Sequence, residues 1–260
     1  MLRDAALAAG AKLRLGITAT IEDGQRVHAD FSDRSSGTYD LVVGADGAYS
    51  QTRSTLMPQA PKPQFTGQAV WRYNLPRPAG LDALHAYNGP IGAGLVPISR
   101  ESMYMYLTTP EPHNPRYPRE GLAAAMRSRT TACAPAIREL AERITDDDGV
   151  VYRPLESLLV DGPWHRGHVV LLGDAVHTST PHLGQGAGLA IEDSLVLAEE
   201  LAIQPDIEAA LTAYRARRFK RCAYIVRASL AICMGQLGKG PLIDNSKATA
   251  EMFDVIAQAI

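Results

Sequence analysis

The sequence predicts an α/β fold in which an open, doubly wound type of sheet is interrupted by an inserted, mostly antiparallel sheet. Three observations predict it. Two short apolar runs, Leu41-Val42-Val43 and Val169-Val170-Leu171-Leu172, each lead through a glycine and an aspartate into a segment that opens a helix, the punctuation of a buried strand and its crossover. Between them lie stretches that alternate apolar and polar residues and are broken by prolines, as antiparallel strands are. Beyond the second run, apolar residues recur at helical spacing almost to the C-terminus.

In chain order, residues 2–9 read as a helix stopped by Gly10. Residues 12–22 alternate as a strand, Asp23-Gly24 signals a hairpin turn, and residues 27–31 alternate back. After a loop at 33–37, residues 39–47 form the first buried strand with its Gly44-Ala45-Asp46-Gly47 end. Residues 65–75, 91–98 and 102–108 predict three strands of the insert, connected by Pro-rich segments and covered by helices at 120–133 and 136–144. Residues 150–159 lead back to the Val169 strand. A loop, Pro181-His182-Leu183-Gly184-Gln185-Gly186-Ala187-Gly188, then opens the helix carrying Leu189, Ile191, Leu195, Leu197 and Leu201. Side chains are nearly absent there, so backbone N–H groups lie open at a helix N-terminus and attract electron-rich ligand atoms. Gln204-Pro205-Asp206 starts a long helix through residue 237, and residues 252–260 predict a last one.

Among 260 residues, 26 Lys and Arg nearly balance 28 Asp and Glu, which removes the basic field that nucleic-acid binding requires. The run Arg215-Ala216-Arg217-Arg218-Phe219-Lys220-Arg221 predicts a solvated helix face, and Gly235-Gln236-Leu237-Gly238-Lys239-Gly240 lacks the spacing of a P-loop. Cys133, Cys222 and Cys233 form neither a CxxC pair nor an even disulfide framework, so a cytoplasmic location is expected. No run approaches the roughly 18 apolar residues of a membrane span, and no membrane association is expected.

Asp46 and Asp174 both sit at carboxyl ends of apolar strands, the edge where open α/β sheets bind ligands. An aspartate there accepts hydrogen bonds from sugar hydroxyls, and neighbouring glycines admit a phosphate or ring. Either aspartate alone fits a helix cap equally well; two such ends point to a nucleotide-like ligand. Arg53, one turn into a helix, is placed to pair with an anion or to cap the turn. Trp71, Arg72, Tyr104, Tyr106, Tyr152 and Arg153 are candidates for an aromatic, anion-tolerant pocket, although each alone fits core or surface. His177 fits a turn-stabilising hydrogen bond, and no metal-ligand spacing is present.

Residues 40–53, DLVVGADGAYSQTR, and 173–193, GDAVHTSTPHLGQGAGLAIED, resemble the two later FAD motifs of the class A flavoprotein monooxygenases, the aromatic-ring hydroxylases related to salicylate and para-hydroxybenzoate hydroxylases. Their order, their separation by an inserted sheet and the trailing helix with Tyr214 and Arg218 agree. The resemblance implies a truncated Rossmann-like FAD-binding domain with an inserted substrate domain. Residues 1–63 and 158–203 would form the two parts of the former, 64–157 the insert, and 204–260 C-terminal helices. It implies that Gly173 and Asp174 hold the ribityl chain of FAD, that Pro181, Gly184, Gln185, Gly186, Ala187 and Gly188 border the isoalloxazine, and that Asp46, Gly47 and Arg53 lie near the pyrophosphate and the approach of NAD(P)H. Trp71, Arg72, Tyr104 and Pro181 would contact substrate. The implied reaction hydroxylates a small aromatic substrate with NAD(P)H and O2 through a flavin hydroperoxide, without a dedicated acid–base residue.

One departure stands out. The family pattern begins with a strand, GxGxxG and a helix, and nothing before Asp46 matches it; the sequence starts about a hundred residues into that pattern. The expectation is a truncated form, a homo-oligomer, or a partner chain supplying the βαβ unit across an exposed sheet edge. Two other functions stay open: a flavin-incompetent remnant serving as a binding or interaction protein, and a flavin oxidoreductase that does not oxygenate.

Overall fold

The computed structural model describes residues 1–89 and 91–260. α1 (Leu2–Ala8) runs into Gly10 at φ +93°, as the stop signal predicted, and buries none of its side chains. β1 (Ala19–Glu22) and β2 (Val27–Phe31) make the expected hairpin, with Glu22 opposite His28. A strand absent from the sequence reading, β3 (Ser36–Tyr39), pairs with β2 on its other side and puts Gly37 opposite Ala29. β4 (Val42–Gly44) follows, then α2 (Gln51–Leu56), which starts from an N-cap in which Ser50 Oγ accepts from the N–H of Arg53 at 2.8 Å.

The insert is one antiparallel sheet in the order β6-β7-β8-β5-β9, made of β5 (Gln64–Pro76), β6 (His85–Tyr87), β7 (Gly92–Pro97), β8 (Ser102–Pro110) and β9 (Val151–Ser157). The two-residue period of strands sends Trp71 and Leu75 of β5 and Met103, Met105 and Leu107 of β8 into a core closed by α3 (Leu122–Ser128) and α4 (Pro135–Ala141). β5 continues through an irregularity between Phe65 and Ala69, where Gly67 takes φ +96°.

β10 (His165–Arg166) and β11 (Val169–Leu171) rejoin β4, with β11 parallel to β4 and Leu171 opposite Gly44. Then come α5 (Asp174–His177), a 3₁₀ turn at Pro181–Leu183, α6 (Gly186–Ile203), α7 (Ile207–Gln236) and α8 (Asn245–Ile256). The second core joins Leu171 and Val176 to Leu189, Val196, Leu211, Tyr214 and Ile225, so α6 and α7 pack on β11. α7 reverses at Gly235, where a Cβ would lie 2.6 Å from the Pro241 carbonyl, and at Gly238, φ +67°; α8 therefore returns over the insert.

Two expectations need correction. β4 is not buried on both faces: among the described residues β11 is its one hydrogen-bonded neighbour, and Val43 is 41% exposed. The basic run of α7 is not a solvated face. Arg218 and Arg221 are buried and pair with Glu192 and Asp193, while Arg217 pairs with Glu199 and Glu200, so the run answers the acidic side of α6. No described helix is long and apolar enough to cross a membrane.

Candidate functional site

The parallel pairing of β4 and β11 puts their two aspartate-bearing ends side by side; the N–H of Leu172 donates to the Gly44 carbonyl at 3.2 Å. Gly44 makes this closeness possible, since a Cβ there would lie 2.7 Å from Leu171 Cδ2 and 2.8 Å from Thr52 Cγ2. Arg53 is buried and locks the two turns together, donating to the Ala175 carbonyl at 2.7 Å and the Ala48 carbonyl at 2.8 Å. Two N–H groups of its guanidinium are thus spent on backbone, so Arg53 braces the two turns.

The two aspartates differ. Asp46 accepts from the Ser50 hydroxyl at 2.6 Å and the Thr52 N–H at 2.9 Å. Burial disfavours its charge, but those donors outweigh burial and hold its carboxyl below the usual range. Asp46 thus braces the start of α2, and Gly47, at φ +79°, faces the adjoining cleft. Asp174 has no protein donor to its carboxylate among the described residues, and burial pushes its carboxyl up against the pull of the His177 charge. It is an acceptor at the cleft wall without a protein partner.

That cleft, about 600 Å³, is lined by Gly47, Gly173, Asp174, Pro181, Gly184, Gly186 and Ala187. α6 begins here with no side-chain cap, leaving the first-turn N–H groups of Gly186, Ala187 and Gly188 without side-chain acceptors. Gly188 itself packs beside Gln185 Oε1, at 3.4 Å from an added Cβ, and does not line the cleft. A second cavity of about 350 Å³ lies beyond and is lined by Gln185, His182, Tyr106 and Gln236 among others. Arg72, Tyr104, Pro181 and Gly184 line both spaces and form the wall between them.

The alternation of β5 separates Trp71 from this group. Its ring lies 4.5 Å from that of Tyr152 and 5.1 Å from that of Tyr117, Arg129 stacks on it at 4.4 Å, and its Nε1 donates to Thr109 Oγ1 at 2.9 Å. Trp71 is core on the face opposite the cavity. Tyr152 and Arg153 likewise line a separate groove with Tyr49 and Arg116.

Residues outside the expected set hold the site from behind. Asp193, fully buried on α6, accepts from His177 Nε2 at 2.6 Å, from the Gly173 N–H at 2.9 Å and from Arg218 Nε at 2.8 Å. Burial disfavours the imidazolium, but the Asp193 carboxylate outweighs it and raises the pKa of His177; the same pairing lowers that of Asp193. His177, Asp193 and Cys222 bring ligand-type atoms within 4.8 Å of one another, yet the Arg218 guanidinium fills the position of the cation. The available signal for this network was the buried-side position of Asp193 on α6 together with Arg218 on α7. His182 is different: burial holds its pKa down at about 4, so it is neutral, with Nδ1 3.0 Å from Thr180 Oγ1 and Nε2 3.2 Å from Gln236 Oε1.

The FAD binding domain family matches residues 1–229. Aurachin C monooxygenase/isomerase of Stigmatella aurantiaca is 32% identical over 203 residues, 77% of this chain and 52% of that protein. The FAD-dependent urate hydroxylase of Klebsiella pneumoniae is 30% identical over 218 residues, 81% of this chain and 56% of that one. The crystal structure of Klebsiella pneumoniae HpxO complexed with FAD and uric acid superposes with a TM-score of 0.79 at 26% identity, covering 99% of this chain and 67% of the other. The chain spans little more than half the length of the curated relatives it matches. With most of its length matched by the family and its two strand ends joined at one cleft, the chain belongs to the FAD binding domain family.

Proposed function

We propose that this chain forms the flavin-ring and ribityl side of an FAD-dependent monooxygenase that hydroxylates a small aromatic substrate with NAD(P)H and O2. The observation that carries the reading is the shared wall: a cleft with an unpartnered aspartate and an uncapped helix N-terminus adjoins a separate cavity through Arg72, Tyr104, Pro181 and Gly184. The residues fit FAD. Gly186 tolerates a close planar neighbour, and the free N–H groups beside it suit the electron-rich edge of a flavin, with a stabilisation on the order of 1 kcal/mol. Asp174 would accept from ribityl hydroxyls, and Gly47 and Gly173 would border the rest of the cofactor. Electron transfer from NAD(P)H and activation of O2 are chemistry that bound FAD supplies. The protein's part is to bind, orient and exclude water.

Relatives named for urate hydroxylation and a neighbour complexed with FAD and uric acid support an aromatic substrate in the second cavity. The same reading assigns residues 64–157 to the substrate side, and a cytoplasmic location accords with the free thiols Cys133, Cys222 and Cys233. It also includes a further polypeptide segment or second chain at the adenosine end. Among the described residues β4 pairs with β11 alone, and Ile191 and Leu195 on α6 are 54% and 53% exposed.

NAD(P)H consumption by the FAD-loaded protein, measured in ¹⁸O₂ across a set of aromatic compounds, tests the activity. Label in a hydroxylated product is the expected result. Substrate-independent NAD(P)H oxidation with no label in any product supports the non-oxygenating oxidoreductase instead.

A further inference from the structure

At the buried end of the second cavity four polar side chains share one hydrogen-bond centre. Gln236 Oε1 lies 2.8 Å from Gln68 Nε2, 3.2 Å from Thr108 Oγ1 and 3.2 Å from His182 Nε2. The Cys233 thiol donates to Gln68 Oε1 at 3.4 Å, which turns the Gln68 NH₂ toward Gln236 and makes the Gln236 oxygen its acceptor. The His182 tautomer that matches this arrangement carries its proton on Nε2, which donates to Gln236, and leaves Nδ1 to accept from Thr180. Gly92 leaves the room this arrangement needs, since a Cβ there would fall 2.4 Å from Thr108 Oγ1 and 3.1 Å from Gln236 Nε2.

With Oε1 saturated, the Gln236 NH₂ is a donor at the cavity lining that has no protein acceptor among the described residues. A donor held in place by three neighbours and facing a ligand-sized space is matched by a ligand acceptor such as a ring carbonyl. Among the described residues no carboxylate or ammonium lines the cavity, and Arg72 is the one charged lining group, at the wall shared with the first cleft. Leu84, Ala86 and Phe253 give the lining an exposed apolar part, beside Asn88, Asn245 and Thr249.

We infer that this cavity selects an uncharged aromatic compound bearing a ring carbonyl and an apolar substituent, with Gln236 as the specificity-determining donor to the carbonyl and the substituent lying toward Leu84 and Phe253. As a statement about substrate, this rests on the hydroxylase reading above. An aromatic carboxylate held by Arg72 is the competing ligand class. Gln236 sits in the Gly235–Gly240 segment, whose glycines turn the chain so that α8 closes over the cavity.

Calorimetric titration of the purified chain with 3-butylcoumarin, coumarin and coumarin-3-carboxylate tests the inference, because the three share one ring system. The expected order is 3-butylcoumarin, then coumarin, then the carboxylate, with the first and last separated on the order of tenfold. Gln236→Leu is expected to lose about the same factor for 3-butylcoumarin. Equal or tighter binding of the carboxylate overturns the inference, as does unchanged affinity in Gln236→Leu or no binding of any of the three. Should Gln236→Leu fail to fold, the infrared carbonyl stretch of bound 3-butylcoumarin decides on the unaltered protein: a shift to lower frequency supports the donor, and an alkane-like frequency overturns it. Visible absorption on the same preparation separates this from the flavin reading. Bound FAD without coumarin binding sinks the cavity assignment alone, and coumarin binding without FAD sinks the flavin assignment alone.

Discussion

Asp193 on α6 accepts a 2.9 Å hydrogen bond from the backbone N–H of Gly173, the residue that immediately precedes Asp174. The helix whose N-terminus borders the cleft therefore also fixes the turn that presents the cleft's aspartate. The same carboxylate is held by His177 and Arg218, so the position of Asp174 is tied to α7 as well.

Removing that carboxylate takes the acceptor from buried His177 and from the Gly173 N–H, and leaves buried Arg218 with Glu192 as its remaining carboxylate. Asp193→Ala is expected to cost about 3–5 kcal/mol, read as a lowered midpoint in urea unfolding. A loss below about 1 kcal/mol would show that the network is not under the burial described.

Glycines at 44 and 186 separate packing from ligand approach. A Cβ at Gly44 meets Leu171 and Thr52 below 3.0 Å, whereas at Gly186 the nearest atom, Ser179 Oγ, is 3.4 Å away. Gly44→Ala is expected to destabilise the chain in thermal unfolding. Gly186→Val is expected to keep its melting temperature close to the parent value and to lower bound FAD. Flavin content unaffected by Gly186→Val would place the ring elsewhere.

On the insert, adjacent residues have opposite assignments. Trp71→Ala is expected to lose about 3–5 kcal/mol of stability, from a cavity in the Tyr117–Tyr152 cluster. Arg72→Gln is expected to leave unfolding within about 0.5 kcal/mol and to change ligand affinity in the second cavity. Calorimetric ligand titration beside denaturant curves checks both; the reverse pattern would reverse the two faces of β5.

His182 sets a pH dependence whose sign follows from its lowered pKa. The unfolded chain takes up a proton near pH 6.5 that the folded chain refuses until about pH 4, so stability falls as pH drops through that window, by on the order of 3 kcal/mol. His182→Gln is expected to flatten this part of the stability profile relative to the parent protein. Parallel profiles between pH 6.5 and 4 would show that His182 titrates normally.

The long elements were legible because their patterns are local. β5, β8, α6 and α7 were all expected close to their observed places, and the resemblance at residues 40–53 and 173–193 anticipated the two strand ends that meet. What escaped was short or non-local. β3 has Ser36 and Gly37 where a strand usually has branched residues, and α5 is a single turn. The period of β5 put Trp71 and Arg72 on opposite faces, but nothing local says which face meets the cavity. That is decided by α8 returning from residue 245 onward and by α3 and α4 covering the other side. Arg53 and Asp46 have the composition of a phosphate site, and only the structure shows that both also brace the protein's own turns. Arg218 and Arg221 looked solvated because their acidic partners lie a full helix away in sequence.

Titration of the purified chain with FAD, followed by visible absorption and repeated with Asp174→Ala, tests whether this cleft holds the flavin. Flavin bands are expected on the parent protein, with affinity weakened by about 1–3 kcal/mol in the variant, since a charge-assisted acceptor is lost. Equal FAD affinity in both proteins, or a parent chain that FAD cannot load, would contradict it.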